Sequence, residues 1–172
     1  MCLLGSSIAM ADPLAPIAPK PIPAPTFRLP SPPLVQSIDP AATAIGFALV
    51  SRSSPFAGRV RVTGTVKNLG NAAYLSGANQ QLAELFEIPA GGRPRLVASV
   101  PFQNLAPGAQ VTVSFERDWN IASPAEGEFP PTYKVMVVYD PDIRLDGNPK
   151  NDDWNNANNV FERNGSAVRA LF

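Results

Sequence analysis

The sequence predicts an all-β fold: an antiparallel β-sandwich of seven to eight short strands, preceded by an extended, proline-rich N-terminal segment. Three observations lead there. From residue 44 onward apolar and polar residues alternate with a period of two, turn-forming residues recur between the alternating stretches, and no stretch carries a convincing helical period.

In RVRVTGTVK, residues 59–67, Val60, Val62, Gly64 and Val66 point one way while Arg59, Arg61, Thr63, Thr65 and Lys67 point the other. A half-buried antiparallel strand requires that alternation. QVTVSFE, residues 110–116, sets Val111, Val113 and Phe115 against Gln110, Thr112, Ser114 and Glu116. TYKVMVVYD, residues 132–140, places Tyr133, Val135, Val137 and Tyr139 on one side and Met136 and Val138 on the other, which suits a strand in the middle of a sheet. Weaker strands are expected at 44–50, 81–88, 95–102, 159–163 and 167–172. Turn signals separate them at 68–71, at 89–94 around Gly91 and Gly92, at Ala106-Pro107-Gly108 and at 124–131. The pattern assigns Val62, Val66, Val113, Phe115, Val135 and Val137 to the core.

Ten of the twenty prolines lie between residues 12 and 40 and recur every two or three positions. Each removes a backbone donor and biases the preceding residue toward extended geometry, so residues 12–33 read as a polyproline II-like tail or linker. Its Leu14, Ile17, Ile22, Phe27 and Leu29 are more apolar than a free spacer needs, which leaves open that it docks on something. Residues 1–11 read as the end of a secretory signal, with an apolar stretch from Cys2 to Ile8 and then Ala9, Met10 and Ala11 in A-x-A arrangement. The expected location is therefore secreted or at the cell surface. No run in the 172 residues approaches the ~20 apolar residues that span a bilayer.

Composition excludes more than it indicates. Fourteen Lys plus Arg balance fourteen Asp plus Glu, so no long-range field gathers nucleic acid. Histidine is absent, which removes the commonest general base and the commonest zinc and iron ligand. A single Cys makes neither an intrachain disulfide nor a thiolate metal site.

Four pieces in order, GTVKNLGNAA at 64–73, LAPGAQVTVSF at 105–115, YKVMVVYDPD at 133–142 and NDDWNNANNV at 151–160, resemble the CARDB-like domain, a bacterial and archaeal immunoglobulin-like β-sandwich linked to cell adhesion. The resemblance covers about residues 34–165 within a sandwich at 34–172. Each piece has a physical reason. Asn68, Gly70 and Asn71 tolerate positive φ and can close a turn where the chain changes sheets. Leu105 is an apolar plug before the Pro107-Gly108 turn, and an Asp/Asn run can satisfy its own backbone. The resemblance implies a structural or binding role rather than one particular activity.

The strongest candidate site is the stretch 140–159, with Asp140, Asp142, Asp146, Asp152 and Asp153 among six asparagines. Hard oxygen ligands at this density suit Ca²⁺, although Arg144 stands where an EF-hand has a ligand. The same residues can equally form a loop of Asx turns that caps itself. Trp154 and Trp119 both sit beside acids; each is a candidate carbohydrate-stacking platform or a lid over an open end of the sandwich. Glu84, Glu87, Glu116, Glu126, Glu128 and Glu162 are scattered, and nothing in the sequence sets two across a cleft. The expected function is non-enzymatic: adhesion or structural support at the cell surface through protein partners or self-association. The alternatives are a subunit of an extracellular filament, joined through its tail or a terminal strand, and a carbohydrate-binding module.

Overall fold

Two antiparallel sheets pack face to face. The computed structural model describes residues 35–172, within a compact unit spanning Leu34–Phe172, so the expectations for residues 1–11 and 12–33 lie outside the described residues. Seven strands follow in chain order: β1 (Pro40–Arg52), β2 (Ala57–Asn68), β3 (Gln81–Ile88), β4 (Arg95–Pro101), β5 (Gln110–Asn120), β6 (Thr132–Tyr139) and β7 (Val160–Asn164). One sheet has the order β1-β2-β5 and the other β4-β3-β6-β7. This is a three-on-four, immunoglobulin-like sandwich, and β6 is central in its sheet as its two apolar faces require.

The alternation sets the register. Val60, Val62 and Val66 of β2, Val113 of β5 and Val135 and Val137 of β6 are buried between the sheets with Ile45, Ala83 and Leu85. Phe115 departs from expectation: it is only partly buried, packed against the margin of the core. Gly64 shares the inward face of β2 because the sheets nearly touch there, and a Cβ on it would come within 2.7 Å of Val135 Cγ2. The corner between β1 and β7 is closed by Arg163, whose guanidinium lies over the Phe47 ring and donates to the Ile45 carbonyl at 2.7 Å.

Three local expectations are corrected. The first strand begins at Pro40 and not at 44, with a bulge between Ala42 and Ala44. The 68–71 turn does not use positive φ, which occurs at Asn79, Gly91, Gly108 and Gly147 among the described residues. Asn68 holds that turn with its side chain: fully buried, it donates to the Ala72 and Leu105 carbonyls and accepts from the Asp39 and Gly70 amides. Gly70 is small because the chain crosses it closely, and a Cβ would lie 2.2 Å from the Ser37 carbonyl oxygen. The third correction is the C-terminus, where 167–172 forms no strand. A 3-10 helix runs over Gly165–Leu171, started by the Asn164 side chain accepting from the Ser166 amide. Val168 is buried beneath it and Arg52 takes the Leu171 and Phe172 carbonyls, so this end is committed to its own domain.

Candidate functional site

The loop between β6 and β7 folds as two runs of Asx turns. Asp146 accepts from the Asn148 amide and Asn148 from the Lys150 amide; further on, Asp153 accepts from the Asn155 amide and Asn155 from the Ala157 amide. Short polar side chains at every second position thereby satisfy a backbone that has no strand partner. The loop is also tied across the end of the sandwich. Asn158 donates to Asp39, the Trp154 amide donates to the Ile38 carbonyl, and Asn148 donates to the Leu75 carbonyl.

The five aspartates named from the sequence do not assemble. Among the described residues no group of three or more acidic, histidine or cysteine side chains converges as a metal cluster. Asp152 is exposed. Asp140 and Asp142 lie side by side, and a shared hydrogen bond together with like charge holds the Asp142 carboxyl above the usual carboxylate range. Asp146 is held below that range by hydrogen bonds from Asn151 and the Asn148 amide, and Gln80 adds a third. Asp153 is buried and accepts from the Tyr139 hydroxyl at 3.0 Å and from Asn159 at 2.7 Å. Burial, and then the Asp153 charge, push the Tyr139 hydroxyl well above its ordinary value. The cleft beside them, of about 360 Å³, is lined by Asp140, Arg144, Asn151, Asp153 and Asn159 among others.

Because Asp146 and Asp153 are already satisfied internally, EDTA should leave the melting temperature unchanged. A rise with millimolar Ca²⁺ that is lost in Asp153→Asn would instead put an ion beside Asp153, where the buried Asn151 and Asn159 amide oxygens accept no hydrogen bond.

The two tryptophans part company. Trp154 is 71 % exposed at the loop surface, so of the pair it alone presents its ring to solvent. Trp119, at 2 % exposure, is a core residue at the opposite end of the sandwich and offers no stacking platform. Its ring packs on Tyr133, lies under the Arg117 guanidinium and leaves room only for glycine at position 165.

Beside Trp119 lies a constellation that the sequence did not disclose. Glu87 points inward from β3 and is buried, and both of its oxygens are taken: Oε1 by Arg117 and the Tyr133 hydroxyl, Oε2 by Arg95. Arg117 also binds Glu126, so one guanidinium joins the two carboxylates. Burial opposes the Glu87 charge, but the hydrogen bonds from Arg95 and Arg117 outweigh it and hold the carboxyl below its ordinary value. A carboxylate so held stays ionised at neutral pH and ties Arg95, Arg117 and Tyr133 together beside the adjoining 200 Å³ cleft, which makes it a strut.

The most unusual surface is the outward face of the four-stranded sheet. On β3 the inward set is Gln81, Ala83, Leu85 and Glu87, which leaves Leu82, Glu84, Phe86 and Ile88 facing out. On β6 the outward set is Thr132, Lys134, Met136 and Val138. Pairing brings Leu82 beside Val138, Glu84 beside Met136, Phe86 beside Lys134, Leu96 of β4 beside Phe86, and Val160 of β7 beside Met136. Leu96 and Val160 are 49 % and 48 % exposed. The result is a face with more apolar surface than an isolated antiparallel sandwich usually shows: Leu96 and Val160 are exposed, Leu82, Phe86, Met136 and Val138 are half-buried, and Glu84, Lys134 and Glu162 stand among them. The other sheet keeps that rule, with Arg59, Arg61, Thr63, Ser114 and Glu116 outward and both arginines bound to Glu116.

No protein-family model matches the sequence, and no curated protein matches it. Among solved structures, β-glucosidase 3B from Thermotoga neapolitana in complex with α-D-glucose is similar over 76 % of this chain, at 13 % identity and a TM-score of 0.32. The match takes up 16 % of that enzyme's chain, and at this level it says nothing about activity.

Proposed function

We propose that this chain is a non-enzymatic module of the cell surface, CARDB-like in type, that serves adhesion or structural support and binds through the outward face of its four-stranded sheet. The observation that supports this reading is the outward face of the four-stranded sheet, where exposed Leu96 and Val160 flank half-buried Leu82, Phe86, Met136 and Val138, more apolar surface than an isolated domain needs there. The non-catalytic part is supported by a sequence without histidine and by a buried carboxylate held ionised by two arginines and a tyrosine hydroxyl.

Beads coated with the protein should adhere to intact cells of the organism that makes it. Leu96→Lys, which changes an exposed side chain and keeps the core, should abolish the adhesion. Thr63→Lys on the opposite sheet should not. Equal adhesion by wild type and Leu96→Lys would dismiss the face as the binding surface.

A further inference from the structure

We infer that the occupant of this face is a second copy of the same chain, packed sheet against sheet about a twofold axis; the inference rests on the reading that the face is the binding surface. Its charges point to a self-complementary partner. Glu84 and Lys134 lie diagonally across neighbouring strands β3 and β6, since Glu84 is opposite Met136 and Phe86 is opposite Lys134. Among the described residues neither has an ion-pair partner. Lys134 lies over the Phe86 ring at 5.0 Å, with Glu162 of β7 on its other side in the register. An unpaired acid and an unpaired base within one apolar patch leave each charge facing water, although opposite charges are available a strand apart.

A twofold axis parallel to the sheet, midway between Glu84 and Lys134, sets Glu84 of one protomer over Lys134 of its partner and repeats that pair once by symmetry. Phe86 and Met136 occupy the other diagonal of the same rectangle, close to the axis, where each meets its own copy. The two sheets then cross steeply, in the orthogonal mode of sheet packing. A foreign partner would need a matching base and acid at the same offset; a second copy has them by construction.

The size of the face sets the strength of the dimer. Four strands about 4.8 Å apart and about seven residues long make a face on the order of 20 by 23 Å. Two such faces bury on the order of 1,000 Å² in total, at the lower end for a specific interface, so the dimer dissociates on dilution.

The test is analytical ultracentrifugation of the full chain up to about 1 mM, a range suited to so small an interface. Wild type should show a concentration-dependent monomer–dimer equilibrium. Glu84→Lys and Lys134→Glu should each weaken it about tenfold or more, because like charges then face each other across the axis. An equimolar mixture of the two single variants should dimerise again: in the mixed dimer one protomer is basic at both positions and its partner acidic at both, so each pair across the axis is once more of opposite sign. The double variant should recover by the same logic, and neither recovery is possible for a chain that has misfolded. A wild-type chain that stays monomeric, or a mixture that fails to recover, overturns the second-copy assignment. Two such results have distinct meanings. Monomeric protein whose coated beads still adhere to cells in a Leu96-dependent way leaves the binding face standing with a different partner. Monomeric protein that dimerises once residues 12–33 are removed gives the face to the chain's own N-terminal segment.

Discussion

Replacing Trp119 with alanine should lower the unfolding free energy by about 3–5 kcal/mol, the usual range for losing a fully buried large aromatic. The reason is local. The indole fills the end of the sandwich between Tyr133, the Arg117 guanidinium and the backbone at Gly165, so its removal empties a site that three different segments enclose. Those segments are held by sheet pairing and by the buried ion pairs, and they cannot collapse into the gap. Urea unfolding followed by far-ultraviolet circular dichroism measures the effect. A loss below about 0.5 kcal/mol, the range of surface substitutions, would overturn the reading of Trp119 as a core residue.

Glu87→Ala should cost about 3–5 kcal/mol as well, through a different mechanism. Removing one partner of a buried ion pair leaves the others without compensation, here the Arg117 guanidinium and the Tyr133 hydroxyl. Glu126 still neutralises part of Arg117, which keeps the loss toward the lower end. The same group gives stability a pH dependence of definite sign. Because the folded carboxyl sits below its ordinary value, the native state binds its proton less readily than the unfolded chain does. The stabilisation is therefore fully present above about pH 4.3, the ordinary glutamate value, and is lost as pH falls through the lower folded value. In Glu87→Gln this part of the acid limb should flatten while stability at pH 7 is already reduced. An unchanged acid limb in Glu87→Gln would show that the carboxylate is not held by its arginines.

Much of the architecture was legible because it is written in local alternation. RVRVTGTVK declares an inner and an outer set within nine residues, TYKVMVVYD marks a strand with neighbours on both sides, and Val60, Val62, Val66, Val135 and Val137 are buried between the sheets. The Asp/Asn run likewise announced a loop that satisfies its own backbone, since an Asx turn needs only a side chain and an amide two residues on. What the run concealed was position. Five aspartates close in sequence are spread by those same turns, which point Asp146 toward Gln80, Asp153 toward Tyr139 and Asp152 to water.

QLAELFEI marks the limit most clearly. It is apolar in both phases, with Leu82, Phe86 and Ile88 in one and Ala83 and Leu85 in the other, so periodicity cannot say which face is inner. Each phase also carries a glutamate. The fold buries Glu87 and turns Phe86 to the outward face because Arg117, 30 residues away on the other sheet, and Arg95 on β4 are there to neutralise the carboxylate. The AVRALF ending failed for a related reason: its apolar spacing fits a strand, but Val168 is buried as part of a 3-10 helix whose first residue, Gly165, packs against Trp119. The sequence by itself determined seven of the strands and where turns separate them, because hydrophobic alternation and backbone satisfaction act over a few residues. Only the tertiary structure decided which glutamate is buried, which tryptophan is core and which residues share the outward face of the four-stranded sheet, because each depends on a partner that packing brings from a distant part of the chain.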